Sequence, residues 1–220
     1  MLAALLVFGP AAAAGASIDG TLAAMDRAAP VFRDMSAKVQ RVEHTAVIKL
    51  TSVDTGIVRM KRAGTRDMRM LLQFGEPGTR FVAFEKTTAQ IYEPKVNTVQ
   101  IFDLGKQRSL VDQFLLLGFG STSRELKSSY ELKAIGEEQI GGEPAMHLEL
   151  VPRSASMLQN VKKVQMWLSR AGYPLQQRFE LPSGDYQQFT YSELKINTGL
   201  ADDAVRLKLP AGVKREYPGK

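Results

Sequence analysis

The sequence predicts a mainly β (α+β) protein built on one antiparallel sheet or barrel of about ten strands. Three observations predict it. Apolar residues alternate with polar ones along most of the chain after His44. Turn pairs such as Asp54-Thr55-Gly56, Gly141-Gly142 and Ser183-Gly184 punctuate that alternation at the short spacing of hairpins. Helical spacing is confined to the start and the middle of the chain.

The elements follow in order. Met1 to Ala16 carry no charge, Leu2 and Leu5 to Phe8 form an apolar run, and Ala14-Gly15-Ala16 has the small-x-small form of a cleavage site. This reads as the hydrophobic and cleavage regions of a secretory signal peptide, truncated at its start because the basic n-region is missing. It is too short to span a bilayer, which takes about 20 residues. Residues 17–220 are read as a single domain, exported to the periplasm. Ser17 is placed as the N-cap of a helix carrying Ile18, Leu22, Met25 and Ala29 on one face. Pro30 breaks it, and a second helical stretch is expected from Val31 toward Val39.

Strands are expected at His44–Thr51, Val58–Lys61 and Met68–Phe74, then at Arg80–Glu85, Thr88–Tyr92 and Thr98–Phe102. Leu110, Val111, Phe114, Leu115 and Leu117 have helical spacing that Gly118 ends, and Arg124–Lys127 suits another short helix. Strands resume at Tyr130–Ile135, Met146–Leu150, Lys163–Leu168, Leu175–Glu180 and Tyr186–Leu194, with a short last one at Val205–Leu209.

The residue inventory excludes several chemistries. With no cysteine, disulfides, thiolate metal sites, a lipid-anchored cysteine and a cysteine nucleophile are all ruled out. His44 and His147 stand alone on strands without metal-ligand spacing. No Gly-x-Ser-x-Gly elbow is present, and Gly118-x-Gly120 lacks the rest of a nucleotide loop. Glu137 and Glu138 are adjacent, would face opposite ways on a strand, and read as solvated loop charge. The expectation is a protein without enzyme activity, metal or cofactor. A net charge of +6 favours anionic partners such as lipid headgroups over nucleic acid, because the cations are diluted by 23 acids.

Two constellations remain. Arg59, Lys61, Arg62, Arg66 and Arg69 form a dense basic segment, for which a solvent-facing strand accounts well except at Arg62. Arg62 shares its strand parity with Val58 and Met60, so it needs an acceptor or a wet opening on the apolar side. Met60, Met68, Met70, Met146 and Met166 all fall on apolar strand faces. Methionine is flexible and polarizable, and suits surfaces that fit varied apolar ligands as well as ordinary cores.

From Leu22 to Val213 the sequence resembles the LolA-type periplasmic carriers, the outer-membrane lipoprotein-sorting proteins. Gly56-Ile57-Val58-Arg59-Met60-Lys61-Arg62 is similar to the family's Gly-led strand ending in Lys-Arg. Gln90-Ile91-Tyr92-Glu93-Pro94, Leu148-Glu149-Leu150-Val151-Pro152-Arg153 and Trp167-Leu168-Ser169-Arg170-Ala171-Gly172-Tyr173-Pro174 resemble its later strands and hairpin. Leu209-Pro210-Ala211-Gly212-Val213 is like its closing segment, and Ala63 departs from a usual Pro.

The resemblance implies an incomplete, curved antiparallel barrel of ten or eleven strands, with helices covering an apolar concave cavity that takes acyl chains. The lining expected is Ile48, Leu50, Val58, Met60, Met68, Met70, Leu72 and Phe84 from the first half of the sheet. Met146, Leu148, Leu150, Met166 and Leu168 are expected from the second, under Phe114 and Leu117. Arg62 matches the family Arg that latches the helical lid. The function implied is a monomeric carrier that binds lipoprotein acyl chains. It would receive them from an inner-membrane transporter and deliver them to an outer-membrane acceptor, with only transient membrane contact. A free-lipid carrier or transporter accessory, and an envelope-stress sensor binding lipid and a regulatory protein, are the alternatives.

Overall fold

A computed structural model describes residues 17–64, 67–76, 78–105 and 117–218. The expected signal peptide, Arg66, and Phe114 with the helical spacing around it lie outside those residues.

The strands of the described residues join one twelve-stranded sheet. They are β1 (Asp34–Thr45), β2 (Leu50–Arg62), β3 (Met68–Phe74), β4 (Arg80–Glu85), β5 (Thr88–Glu93) and β6 (Thr98–Asp103), then β7 (Tyr130–Ile140), β8 (Glu143–Pro152), β9 (Lys163–Ser169), β10 (Pro174–Glu180), β11 (Tyr186–Ile196) and β12 (Lys214–Glu216). The order is β12-β6-β5-β4-β3-β2-β1-β11-β10-β9-β8-β7, antiparallel except where β12 runs parallel along the edge of β6. The end strands do not meet, so the sheet is curved but open. This is the incomplete barrel that the resemblance to LolA-type carriers implies.

Three elements differ from expectation. The helix expected after Pro30 is instead β1, hydrogen-bonded to β2 on one side and β11 on the other. Met35, Ala37 and Val39 are buried while Lys38 and Gln40 are exposed, so the true period is two. Met and Ala are strong helix formers, and here tertiary pairing overrides local propensity. The expected strand through Ala46, Ile48 and Leu50 is the tip of the β1–β2 hairpin, where Ala46–Ile48 is a 3-10 turn. The expected strand at Val205–Leu209 is irregular: a 3-10 turn over Asp202–Val205 leads into a segment whose Leu207 and Leu209 pack outside the sheet, on Tyr92, Val99 and Val213.

Helices lie on the concave face. In α1 (Ile18–Ala28), the Ser17 hydroxyl caps the first turn by accepting from Gly20 N at 3.1 Å, as the sequence predicts. Leu22 and Met25 of α1, Leu126 of α2 (Ser123–Ser129) and Met157 of α3 (Ala155–Leu158) pack on the inner side chains of β7 to β9. A reciprocal capping box between Thr122 and Glu125 starts α2. Asp26 of α1 then accepts from the Ser123 amide and hydroxyl, both at 2.7 Å, tying the two helices together. The β9–β10 turn meets α1 so closely that a Cβ on Gly172, at φ +84°, would overlap the backbone of Ala24 and Met25.

Candidate functional site

Among the described residues the helices pack over β7 to β9, and the concave face beyond them holds an apolar cavity of about 380 Å³. That is within the range of small-molecule sites, about 300–1,000 Å³. Its floor is the inward side of the strand pairs Val58↔Leu72 and Met60↔Met70, continued across β4 by Val82 and Phe84. Phe179, Phe189 and Tyr191 of β10 and β11 form the far wall. Val161, Asn160 and Leu181 close one side.

Residues 117–121 form a strap across the concave face. Leu117 drops into the helix-covered core, and Phe119 enters the cavity side. Phe119 sits edge-on to Tyr191 at 5.4 Å and tilted to Phe32 at 6.1 Å between ring centroids. The strap is held by named hydrogen bonds. Gln177, itself buried, donates to the Leu117 carbonyl at 2.7 Å and accepts from the Tyr191 hydroxyl at 2.8 Å. Burial raises the Tyr191 pKa. Arg62 Nη2 donates to the Gly120 carbonyl at 3.3 Å, while Arg62 Nε is buried with no hydrogen-bond partner. Gly120 has φ +83°, and a Cβ there would overlap the Arg62 guanidinium, so glycine leaves the space that the arginine fills.

The residues expected to line one cavity separate into groups. Val58, Met60, Met70, Leu72 and Phe84 do line it. Met68 is on the same face but buried beyond it, in the cluster with Phe32 and Phe119. Met146, Leu148, Leu150, Met166 and Leu168 are sealed under the helices with Leu117, as solid core. Ile48 and Leu50 are 63% and 57% exposed at the hairpin tip, away from the cavity. The basic segment also divides. Lys61 faces outward, reaching Asp202 and the Leu200 carbonyl, each at 2.6 Å, and Arg69 lies near Asp67 and Glu85. Those cations are engaged within the chain.

Glu138 is not a solvated loop charge but part of β7. It accepts from the Trp167 indole at 2.8 Å and lies 2.7 Å from His147 Nδ1, whose ring stacks on Trp167. The Trp167 hydrogen bond leads in holding the Glu138 carboxyl below its ordinary pKa, with burial opposing and His147 assisting. The network stands on the outer face of the sheet, opposite Leu148 and Met166. Among the described residues, no three His, Cys, Asp or Glu side chains gather as a metal ion would require.

Sequence reasoning missed a polar corner of the cavity. Arg41 is the only charged residue in the cavity wall among the described residues. Its Nε and Nη2 donate to Asp54 Oδ2 at 3.2 and 2.9 Å, and Arg80 Nη2 donates to the same oxygen at 2.8 Å. Both guanidiniums lie on the Phe74 ring, at 5.2 and 4.5 Å from its centroid. Burial opposes ionisation of Asp54, but hydrogen bonds from Arg80 and Arg41 outweigh it and hold the carboxyl below its ordinary pKa. The signal for Arg41 was its parity with Val39, hidden by the expectation of a helix there.

No family model and no curated protein matches the sequence. Several solved structures do match the fold. MucB aligns with a TM-score of 0.53 at 20% identity, over 87% of this chain and 64% of that one, so this chain spans less than two thirds of MucB. An uncharacterized conserved protein from Thermus thermophilus aligns with a TM-score of 0.51 at 15% identity, over 90% and 98% of the two chains. The lipoprotein LppX of Mycobacterium tuberculosis aligns with a TM-score of 0.50 at 12% identity, over 84% and 99%. At these identities the likeness is one of fold.

Proposed function

We propose that this chain, which has the fold of MucB and LppX, is an exported lipid-binding carrier. It would hold the acyl chain of a lipoprotein in the half-open concave cavity and hand it on toward the outer membrane. The observation that carries the reading is the cavity itself: among the described residues the helices pack over β7 to β9, and the mostly apolar concave face beyond them forms a cavity. A domain of this size has the means to pack such a face, and an unpacked apolar surface is costly in water.

The physics of the role fits the site. Each methylene moved from water into the cavity contributes about 0.8 kcal/mol. A carrier must collect that energy yet return the chain to an acceptor. The wall methionines Met60 and Met70 adapt to a mobile chain. Among the described residues, hydrogen bonds from Gln177 to Leu117 and from Arg62 to Gly120 tie the strap carrying Phe119 to the sheet, and the longer Arg62–Gly120 bond is the candidate latch. Displacing the strap would open the cavity, and its return would favour release; no covalent step is assigned to the site. Among the described residues no helix is long and apolar enough to cross a membrane. The resemblance to LolA-type carriers supplies the lipoprotein cargo and the periplasmic setting.

The test is native mass spectrometry of the protein purified from its own cell envelope. Co-purification of a triacylated or diacylated protein supports the reading. Lipid alone makes it a free-lipid carrier, and a regulatory protein partner makes it a sensor. A mature protein that carries none of these and binds no acyl chain in titration overturns the proposal.

A further inference from the structure

We propose that Arg41 and Arg80 form a headgroup site at one end of the cavity, selecting amphiphiles whose acyl chain ends in an anionic oxygen headgroup, a carboxylate or a phosphate. This rests on the acyl-carrier reading and specifies its ligand.

The placement follows from strand register. Arg41 of β1 lies opposite Asp54 of β2, and Phe74 of β3 lies opposite Arg80 of β4. All four project from the same concave face as Val58 and Met60. The Phe74 side chain is buried, and its ring keeps the two guanidiniums side by side. Asp54 is a single acceptor for both, and both arginines meet it through one oxygen, Oδ2. Among the described residues, the hydrogen bonds of this corner leave Arg41 Nη1 and the Nε and Nη1 of Arg80 unengaged.

The second carboxylate is the informative one. Glu43, two residues along β1, reaches back so that its Oε2 accepts from Arg41 Nη2 at 2.8 Å. Its side chain is 38% exposed, against 17% for Arg41, so it covers the arginine from the rim. Among the described residues its other oxygen has only a long contact from Gln187, at 3.4 Å, and Gln187 itself lines the cavity. Glu43 thus stands where a ligand carboxylate would sit, at the polar end of an apolar trough. An incoming anion exchanges with a rim carboxylate that can turn out into water, and Arg41 keeps its full set of acceptors throughout. A neutral headgroup has no such exchange available, because removing Glu43 without replacing its charge leaves the guanidinium short of an acceptor.

The experiment compares dodecanoate, dodecyl phosphate and dodecanol by titration calorimetry on the full chain, with inorganic phosphate as a control for the headgroup alone. The expected result is that at least one anion binds about tenfold or more tightly than dodecanol, as a charge-assisted hydrogen bond warrants. Which anion leads names the headgroup class. Glu43→Gln should raise the anion-to-alcohol ratio of affinities, and Arg41→Gln should bring it toward one. The opposite directions matter, since a merely structural loss cannot tighten one ligand class. Equal binding of all three amphiphiles, or a ratio unmoved by both substitutions, overturns the headgroup site and leaves the carrier reading intact. Binding of inorganic phosphate as tight as dodecyl phosphate also overturns it, because the chain would then play no part. If no amphiphile binds, the carrier reading itself fails.

Discussion

Gln177 joins the strap to the sheet, and replacing it with leucine tests how firmly the cavity is covered. The side chain is 3% exposed, donates to the Leu117 carbonyl and accepts from the Tyr191 hydroxyl. Gln177→Leu keeps most of the bulk and removes both hydrogen bonds. A buried polar group left without its partner costs about 1–3 kcal/mol. Two such groups are stranded here, and the added apolar surface of leucine returns about 1 kcal/mol. The net expectation is a loss of about 1–5 kcal/mol. Urea unfolding reads this as a lower midpoint at unchanged slope. Adding Tyr191→Phe removes one stranded group and should restore about 1–2 kcal/mol. A loss below about 0.5 kcal/mol, the size of an ordinary surface change, would refute the claim that these bonds hold the strap. So would a double variant no more stable than the single one.

Three further outcomes follow from the same contacts. Arg62→Leu should fold, bind a fluorescent fatty acid at least as tightly as wild type, and transfer it several-fold more slowly to acceptor vesicles; equal transfer rates would reduce Arg62 to a structural role. Gly120→Ala should lose about 1–3 kcal/mol in thermal unfolding, from backbone strain at φ +83° and overlap with the Arg62 guanidinium. The Ser123 hydroxyl bond leads in holding the Asp26 pKa below its ordinary value, with partial burial opposing and the Ser123 amide assisting. A depressed carboxylate stabilises the fold above its unfolded pKa and loses that contribution as pH falls through the lowered one, so the melting-temperature gap between wild type and Ser123→Ala should close below about pH 4. A gap that persists in acid would show that Asp26 is not the partner that matters.

The sheet was legible because alternation and turns are local signals. Met68 to Phe74 read as a strand from its alternation and Tyr186 to Leu194 from the turn before it, and both are strands. β1 was not legible, because Met35, Ser36 and Ala37 carry no β preference and its pairing with β11 spans most of the chain. That one error also hid Arg41 and Glu43, since a strand begun at His44 gives neither residue a face. The division of the apolar face was equally out of reach. Met70 and Met166 have the same pattern in sequence, yet one lines the cavity and the other is fully buried under helices. Among the described residues the docking of α1, α2 and α3 separates them, and helix docking leaves no periodicity in the strands beneath. Arg62, by contrast, was visible from parity alone, because a charge on an apolar face must find an acceptor.

Methionine methyl groups offer the most direct test of an acyl chain in the cavity. The protein would be labelled with carbon-13 at the methionine methyls and titrated with dodecanoate, while NMR follows shifts and through-space contacts from the chain. Met60 and Met70 should respond and show contacts to methylene protons, and Met146 and Met166 should not. Contacts confined to Met146 and Met166, or a chain that binds without touching Met60 and Met70, would contradict the placement of the ligand between β2, β3 and the Phe119 strap.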